Sequence, residues 1–217
     1  MYRGIIGGGA LFALMMTASC APPPATPGAG LRAPTRTLSD DYLQIVTAER
    51  QLVEIDANGR LVRTPAPEGF CLGRDAVISG DDSVYYLMGR CAGSGDAVIS
   101  VSISNARFES ETLDDLASYF STSEGVASLG LDAGSGAVFL LGNEVEDGVL
   151  YATVEDGSGG GLNLETQILC RAFADFNGRL AVVTLMTEKA KTASPEAVQE
   201  ALQKIVEGWR AANRASS

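Results

Sequence analysis

The run from Ala97 to Ser104 constrains this chain more than any other, because Ile99, Val101 and Ile103 alternate with Ser100, Ser102 and Ser104. Successive side chains of an extended strand point to opposite faces, so this segment has one apolar face to bury and one polar face. The chain must therefore build a sheet packed on at least one side. Ser83 to Cys91 precedes the run and reads as its partner strand.

Turn chemistry supplies more strands. Gln51 to Asp56 and Arg60 to Thr64 flank Ala57-Asn58-Gly59, and Leu162 to Asp175 pairs with Arg179 to Thr187 across Phe176-Asn177-Gly178. Asn-Gly between apolar runs is a hairpin signal, since both residues tolerate the positive φ that a tight turn requires. Ala137 to Gly142 and Val149 to Val154 form a further pair around an acidic turn.

Two segments switch to helical spacing. From Thr112 to Ser121, Leu113, Leu116, Ala117 and Phe120 share a face, and Asp114 and Asp115 sit in the first turn, where the helix dipole favours them. Near the end, Ser194 is a good N-cap and Pro195 suits the first helical position. Val198, Leu202, Ile205, Trp209 and Ala212 then recur at spacings of three and four. That stripe, which includes the single Trp, is expected to pack into a core. The order describes an α+β domain: an antiparallel β-sheet flanked by helices, with a long C-terminal amphipathic helix.

This order, with Gly69-Phe70 entering a strand early and a Ser-Pro-capped helix at the end, resembles the PsbP-like α/β/α sandwich of envelope and thylakoid proteins over roughly residues 50 to 215. The Gly69-Phe70-Cys71 and Gly89-Arg90-Cys91 pair is also similar to that of uncharacterised bacterial envelope proteins. The resemblance implies a non-enzymatic binding or assembly role, and it carries no functional residues over.

The N-terminus gives an address. Met1-Tyr2-Arg3 carries one positive charge, Gly4 to Met16 carry none, and Thr17-Ala18-Ser19-Cys20 follows. This is the layout of a secretory signal. The apolar run is shorter than the ~20 residues a spanning helix needs. Its last four residues resemble the lipobox of bacterial lipoproteins, with Thr17 where that family prefers Leu. The resemblance implies that residues 1–19 are a signal peptide and that Cys20 is lipidated. Several acyl chains on one cysteine, at ~0.8 kcal/mol per buried CH₂, give stable anchorage. By resemblance to proteobacterial lipoproteins, Ala21 after the cysteine implies the outer membrane, on its periplasmic face.

Residues 20–39 read as a Pro-rich flexible linker, since five of the eight prolines fall between Ala21 and Arg36. Extended at ~3.1 Å per residue, that stretch spans up to about 50 Å. Residues 40–217 are then expected to form a single α+β domain, long enough to bury a sizeable core. The formal net charge is −11, and it becomes −12 when Arg3 leaves with the signal. So acidic a surface argues against nucleic acid and against electrostatic adhesion to anionic lipid head groups.

With Cys20 assigned to lipid, Cys71, Cys91 and Cys170 remain. An oxidising compartment favours one disulfide and one free thiol, and three pairings are possible. The expected one is Cys71 with Cys91, because both sit at strand ends beside turn signals. Cys170 lies within the apolar strand Ile168 to Phe173, where a small buried thiol is expected.

Catalytic chemistry is mostly excluded. The chain has no His, which removes Ser-His-Asp and Cys-His hydrolases, histidine bases and the usual zinc sets. No G-x-S-x-G elbow, Walker A loop or G-x-G-x-x-G fingerprint occurs, and Gly157-Ser158-Gly159-Gly160-Gly161 lacks the Lys and following helix of a phosphate cradle. Val145-Glu146-Asp147-Gly148 and Val154-Glu155-Asp156-Gly157 bring four carboxylates that could attract Ca²⁺. The two turns flank one strand and are expected at its opposite ends, without a D-x-D-x-D-G loop, so they read as solvated hairpin turns. Asp81-Asp82 and Asp114-Asp115 read as a turn and a helix start. No metal, cofactor or catalytic residue is assigned.

Two roles fit. One is a lipid-tethered interaction or assembly module that meets an envelope protein partner, which the spacer favours. The other is a small-ligand or lipid carrier with a pocket between sheet and helices.

Overall fold

Three two-residue turns organise the strands. Asn58-Gly59, Asp147-Gly148 and Asn177-Gly178 each hold positive φ at both positions, as type I′ hairpins require. Asp56 and Asp175 reinforce two of them, each accepting from the turn glycine amide at 2.6 Å and 2.5 Å respectively. The computed structural model describes residues 43–49, 51–80, 82–91, 97–109, 111–131, 137–157, 167–188 and 194–214. Cys20 and the segments expected as signal and linker lie outside them, as do residues 162–166, the expected start of a strand.

The strands are β1 (Leu43–Glu49), β2 (Leu52–Ala57), β3 (Leu61–Pro65), β4 (Phe70–Ser79), β5 (Ser83–Arg90), β6 (Ala97–Arg107), β7 (Val138–Glu146), β8 (Val149–Asp156), β9 (Gln167–Phe176) and β10 (Arg179–Glu188). The helices are α1 (Glu111–Phe120), α2 (Ser123–Ser128) and α3 (Pro195–Arg214). Every ladder is antiparallel.

They form a three-stranded sheet, β1-β2-β3, and a seven-stranded sheet in the order β4-β5-β6-β10-β9-β8-β7. The larger sheet consists of two meanders. β4 to β6 run consecutively; α1 and α2 then lead to the far edge, and β7 to β10 return to close against β6.

The alternation in β6 does what its sequence demands: Ile99, Val101 and Ile103 are fully buried. On that face they join Ala172, Phe176 and Val183, covered by α3 through Val198, Leu202, Val206 and Trp209 and by the small sheet through Val53, Ile55 and Val62. The opposite face packs Leu150, Val154, Leu169 and Phe173 against Leu113 and Phe120 of α1 and Leu129 after α2. Phe120 and Phe173 meet with ring centroids 5.1 Å apart. Helices therefore lie on both faces of an antiparallel sheet, and the class is α+β.

The structure differs from the sequence reading in four respects. The first hairpin belongs to a separate sheet, because its single apolar face packs against the large sheet instead of extending its edge. β1 joins that hairpin as a third strand. The six-residue α2 follows α1, capped by Thr122, whose hydroxyl accepts from the Gly125 amide at 3.1 Å. The α3 stripe is Val198, Leu202, Val206, Trp209 and Asn213, with Ile205 and Ala212 only half-buried.

Asn213 explains the rotation of that stripe. β3 is an outer strand of the small sheet, and its open edge is sealed by side chains. Asn213 Oδ1 accepts from the Arg63 amide and Nδ2 donates to the Arg63 carbonyl, both at 2.8 Å. Trp209 Nε1 donates to the Pro65 carbonyl at 2.7 Å, and Asn177 Nδ2 to the Leu61 carbonyl at 2.6 Å. Three residues at period two on one strand edge thus find partners on α3 and on the β9–β10 turn, which satisfies groups that burial would otherwise leave orphaned.

Candidate functional site

Cys71 and Cys91 are joined in a disulfide with Cα atoms 5.0 Å apart. The pairing follows from register: Cys71 lies opposite Gly89, two residues before Cys91, at the end of the β4–β5 ladder. Gln51 Nε2 donates to Cys71 Sγ at 3.1 Å, which ties the β1–β2 turn to the bridge. Arg90 stacks over the Phe70 ring, 4.3 Å from its centroid. A recess of about 860 Å³ opens beside the bridge, lined by Glu49, Leu72, Val77 and Arg90 among others.

Cys170 is a free, fully buried thiol that accepts from the Thr153 hydroxyl at 3.2 Å. Burial pushes its pKa up to about 11, against a smaller opposing effect from that hydroxyl. It is a packing residue, with none of the thiolate character that reactive cysteines need.

The two acidic tetrapeptides stand at opposite ends of β8, about 20–25 Å apart for an eight-residue strand. At the first, Glu146 accepts from Gln203 Nε2 at 2.7 Å, and the Asp147 carbonyl accepts from Arg210 at 2.8 Å. The turn is thereby pinned to α3. At the second, Asp156 is buried and accepts from the Leu131 amide at 2.7 Å. Asp156 also opposes the burial that lowers the pKa of Arg171. One carboxylate of each pair, Glu146 and Asp156, is thus engaged in local structure, and among the described residues no three metal-binding side chains converge.

The clearest candidate surface is one the sequence reading left unassigned. Among the described residues, β7 ends the seven-stranded sheet and pairs only with β8. It exposes Phe139 (64%), Leu141 (44%) and Val145 (43%), and Leu131 beside it is 40% exposed. Phe139 and Leu141 share a face by strand alternation, and the register shifts between Leu140 and Gly142. The strand is nonetheless firmly seated. Asn143 Nδ2 donates to the Ala117 carbonyl of α1 at 2.6 Å, and Gln199 of α3 donates to Glu144 on the other face. Pinned between helices, β7 presents a nine-residue edge of backbone donors and acceptors with apolar side chains and the acidic Glu144 and Glu146 along it.

Compared with protein-family profiles, curated proteins and solved structures, the chain finds no match in any of the three. Among the described residues no helix is long and apolar enough to cross a membrane. Phe139-Leu140-Leu141 is the signal that could have marked the edge, since three consecutive large apolar residues break the alternation of a half-buried strand.

Proposed function

We propose that this chain is a lipid-anchored envelope protein whose folded part is a non-enzymatic interaction module, and that β7 is where it meets its partner. The observation that carries the reading is the β7 edge, which no other described strand covers, with its exposed Phe139, Leu141 and Val145. Edges this long and apolar are normally blunted or covered, because they invite pairing with another chain. An extended partner segment added to β7 would gain main-chain hydrogen bonds from the edge and specificity from alternate side chains. The acidic residues along the edge favour a partner segment that carries basic side chains.

The N-terminal features support the rest of the reading. Cys20 as the lipid anchor holds the domain at the periplasmic face of the outer membrane, and residues 20–39 give it reach. The PsbP-like assignment belongs to the same proposal, supported by helices on both faces of an antiparallel sheet and by the Ser-Pro start of the last helix. The carrier alternative is less well supported, because Val198, Leu202, Val206 and Trp209 occupy the space between α3 and the sheet.

Fractionation and capture of the wild type and Cys20→Ser test the proposal. Wild-type chain is expected in the membrane fraction with a stoichiometric partner, and Cys20→Ser in the soluble fraction without it. Firm membrane association of Cys20→Ser contradicts the lipid anchor.

A further inference from the structure

Where α3 passes the β7–β8 turn, a recess of about 780 Å³ opens on the surface, within the range of small-molecule sites. Tyr151 of β8 and Glu146 of β7 line it from the sheet, and Glu207, Gly208, Arg210 and Arg214 line it from α3. The recess flanks α3 and leaves the apolar layer of Val198, Leu202, Val206 and Trp209 intact.

Two of its residues are not explained by packing. Tyr151 is 3% exposed, yet no described residue hydrogen-bonds its hydroxyl. The hydroxyl of the equally buried Tyr86 is bonded to Thr64, which is the usual condition of a buried tyrosine. The charges that act on the Tyr151 hydroxyl include Glu207, Arg210 and Glu146, all lining the recess, so the hydroxyl points there. Burial first, then the Glu207 charge, pushes its pKa up to about 12, and it stays a neutral group that both donates and accepts. The second residue is Gly208, in the middle of a 20-residue helix where only proline is less favourable. No described atom comes within 4 Å of the place its Cβ would take, so no close contact requires a glycine. Its effect is to keep the recess open beside Tyr151.

The charges are ordered along the helix. Glu207, Arg210 and Arg214 follow one another at spacings of three and four on one flank of α3, about 5–6 Å apart along the axis. The Glu207 carboxylate and the Arg214 guanidinium form no hydrogen bond or ion pair with any described residue. Arg210 donates through Nη1 to the Asp147 carbonyl, which fixes the guanidinium at the rim without neutralising it.

We propose that this recess binds a small zwitterion with an ammonium and a carboxylate, as a free amino acid or a short peptide carries. Glu207 with the Tyr151 hydroxyl accepts the ammonium, and Arg210 and Arg214 offer guanidinium forks to the carboxylate. A ligand with a single charge is attracted at one end of this row and repelled at the other, whereas a zwitterion laid along α3 gains at both. The inference stands without the β7 reading.

The test is calorimetric titration of the purified, detergent-solubilised full chain with each standard amino acid in turn and with L-alanyl-L-alanine, against acetate and methylammonium as singly charged controls. Saturable one-site binding of a zwitterion is expected, weakened about tenfold in Glu207→Gln and about fivefold in Tyr151→Phe, which keeps the packed ring. Gly208→Met fills the recess and is expected to abolish binding while melting no lower than the wild type, since methionine is the better helix former. The first two variants carry the test if Gly208→Met fails to fold. Asp114→Asn, on the exposed side of α1, is expected to bind like the wild type. Saturation by a single amino acid assigns the site to free amino acids, and saturation by the dipeptide only assigns it to peptides. No binding of any zwitterion, equal binding of acetate or methylammonium, or binding indifferent to the variants overturns the proposal.

Discussion

Replacing Asn213 with Ala should destabilise the domain well beyond what its surface-like chemistry suggests. The side chain is 3% exposed, and its amide engages both the N–H and the C=O of Arg63 at 2.8 Å. Truncation leaves both backbone groups of an outer strand facing α3 without those partners. Each unsatisfied buried group costs ~1–3 kcal/mol, and partial water access at this edge favours the lower half, so the expected loss is about 2–4 kcal/mol. For a domain of this size that corresponds to a fall in Tm of roughly 5–12 °C. Urea unfolding followed by the fluorescence of Trp209, buried one helical turn away, reads the change directly. The midpoint should fall with the slope unchanged. A loss below about 0.5 kcal/mol, the range of ordinary surface substitutions, would refute the claim that side chains seal the β3 edge. Asn177→Ala should be non-additive with it, because Asn177 Nδ2 lies 3.4 Å from Asn213 Oδ1.

Three further outcomes are expected. Reducing the Cys71–Cys91 bridge, or replacing both residues with Ser, should cost about 3 kcal/mol for a closed loop of 20 residues, measured by urea unfolding with and without reductant. Cys170 should resist iodoacetamide in the folded protein and react on unfolding. Because its folded pKa is raised from 9.0 to about 11, its contribution is fully present below about pH 9 and lost as pH rises towards 11. Wild type should therefore lose up to about 2–3 kcal/mol more than Cys170→Ala over that interval. Trp209→Phe keeps the ring against Phe176 but removes the bond to the Pro65 carbonyl, so it should cost about 1 kcal/mol in the same urea assay.

Much of the fold was legible because the informative residues act locally. Asn58-Gly59 and Asn177-Gly178 specify their hairpins through φ alone, and the Ile-Ser alternation of β6 specifies its buried face without reference to any partner. The disulfide was legible for the same reason, since Cys71 and Cys91 sit at the ends of one hairpin. What stayed hidden depends on neighbours distant in sequence. Asn213 falls outside the apolar stripe read from the sequence, and only the arrival of β3, 150 residues earlier, gives its amide a reason to be buried. The β7 edge was missed for another reason: which strand ends a sheet is set by topology, and the crossover through α1 and α2 that puts β7 there leaves no local trace.

The central claim is that β7 receives an extended partner, and site-specific photo-cross-linking in intact cells tests it most directly. A photoreactive residue at Phe139 or Leu141 should trap one protein in high yield, whereas the same residue at Ile78, equally exposed on β4 at the opposite end of the sheet, should not. Equal trapping from both edges, or none from β7, would contradict the account.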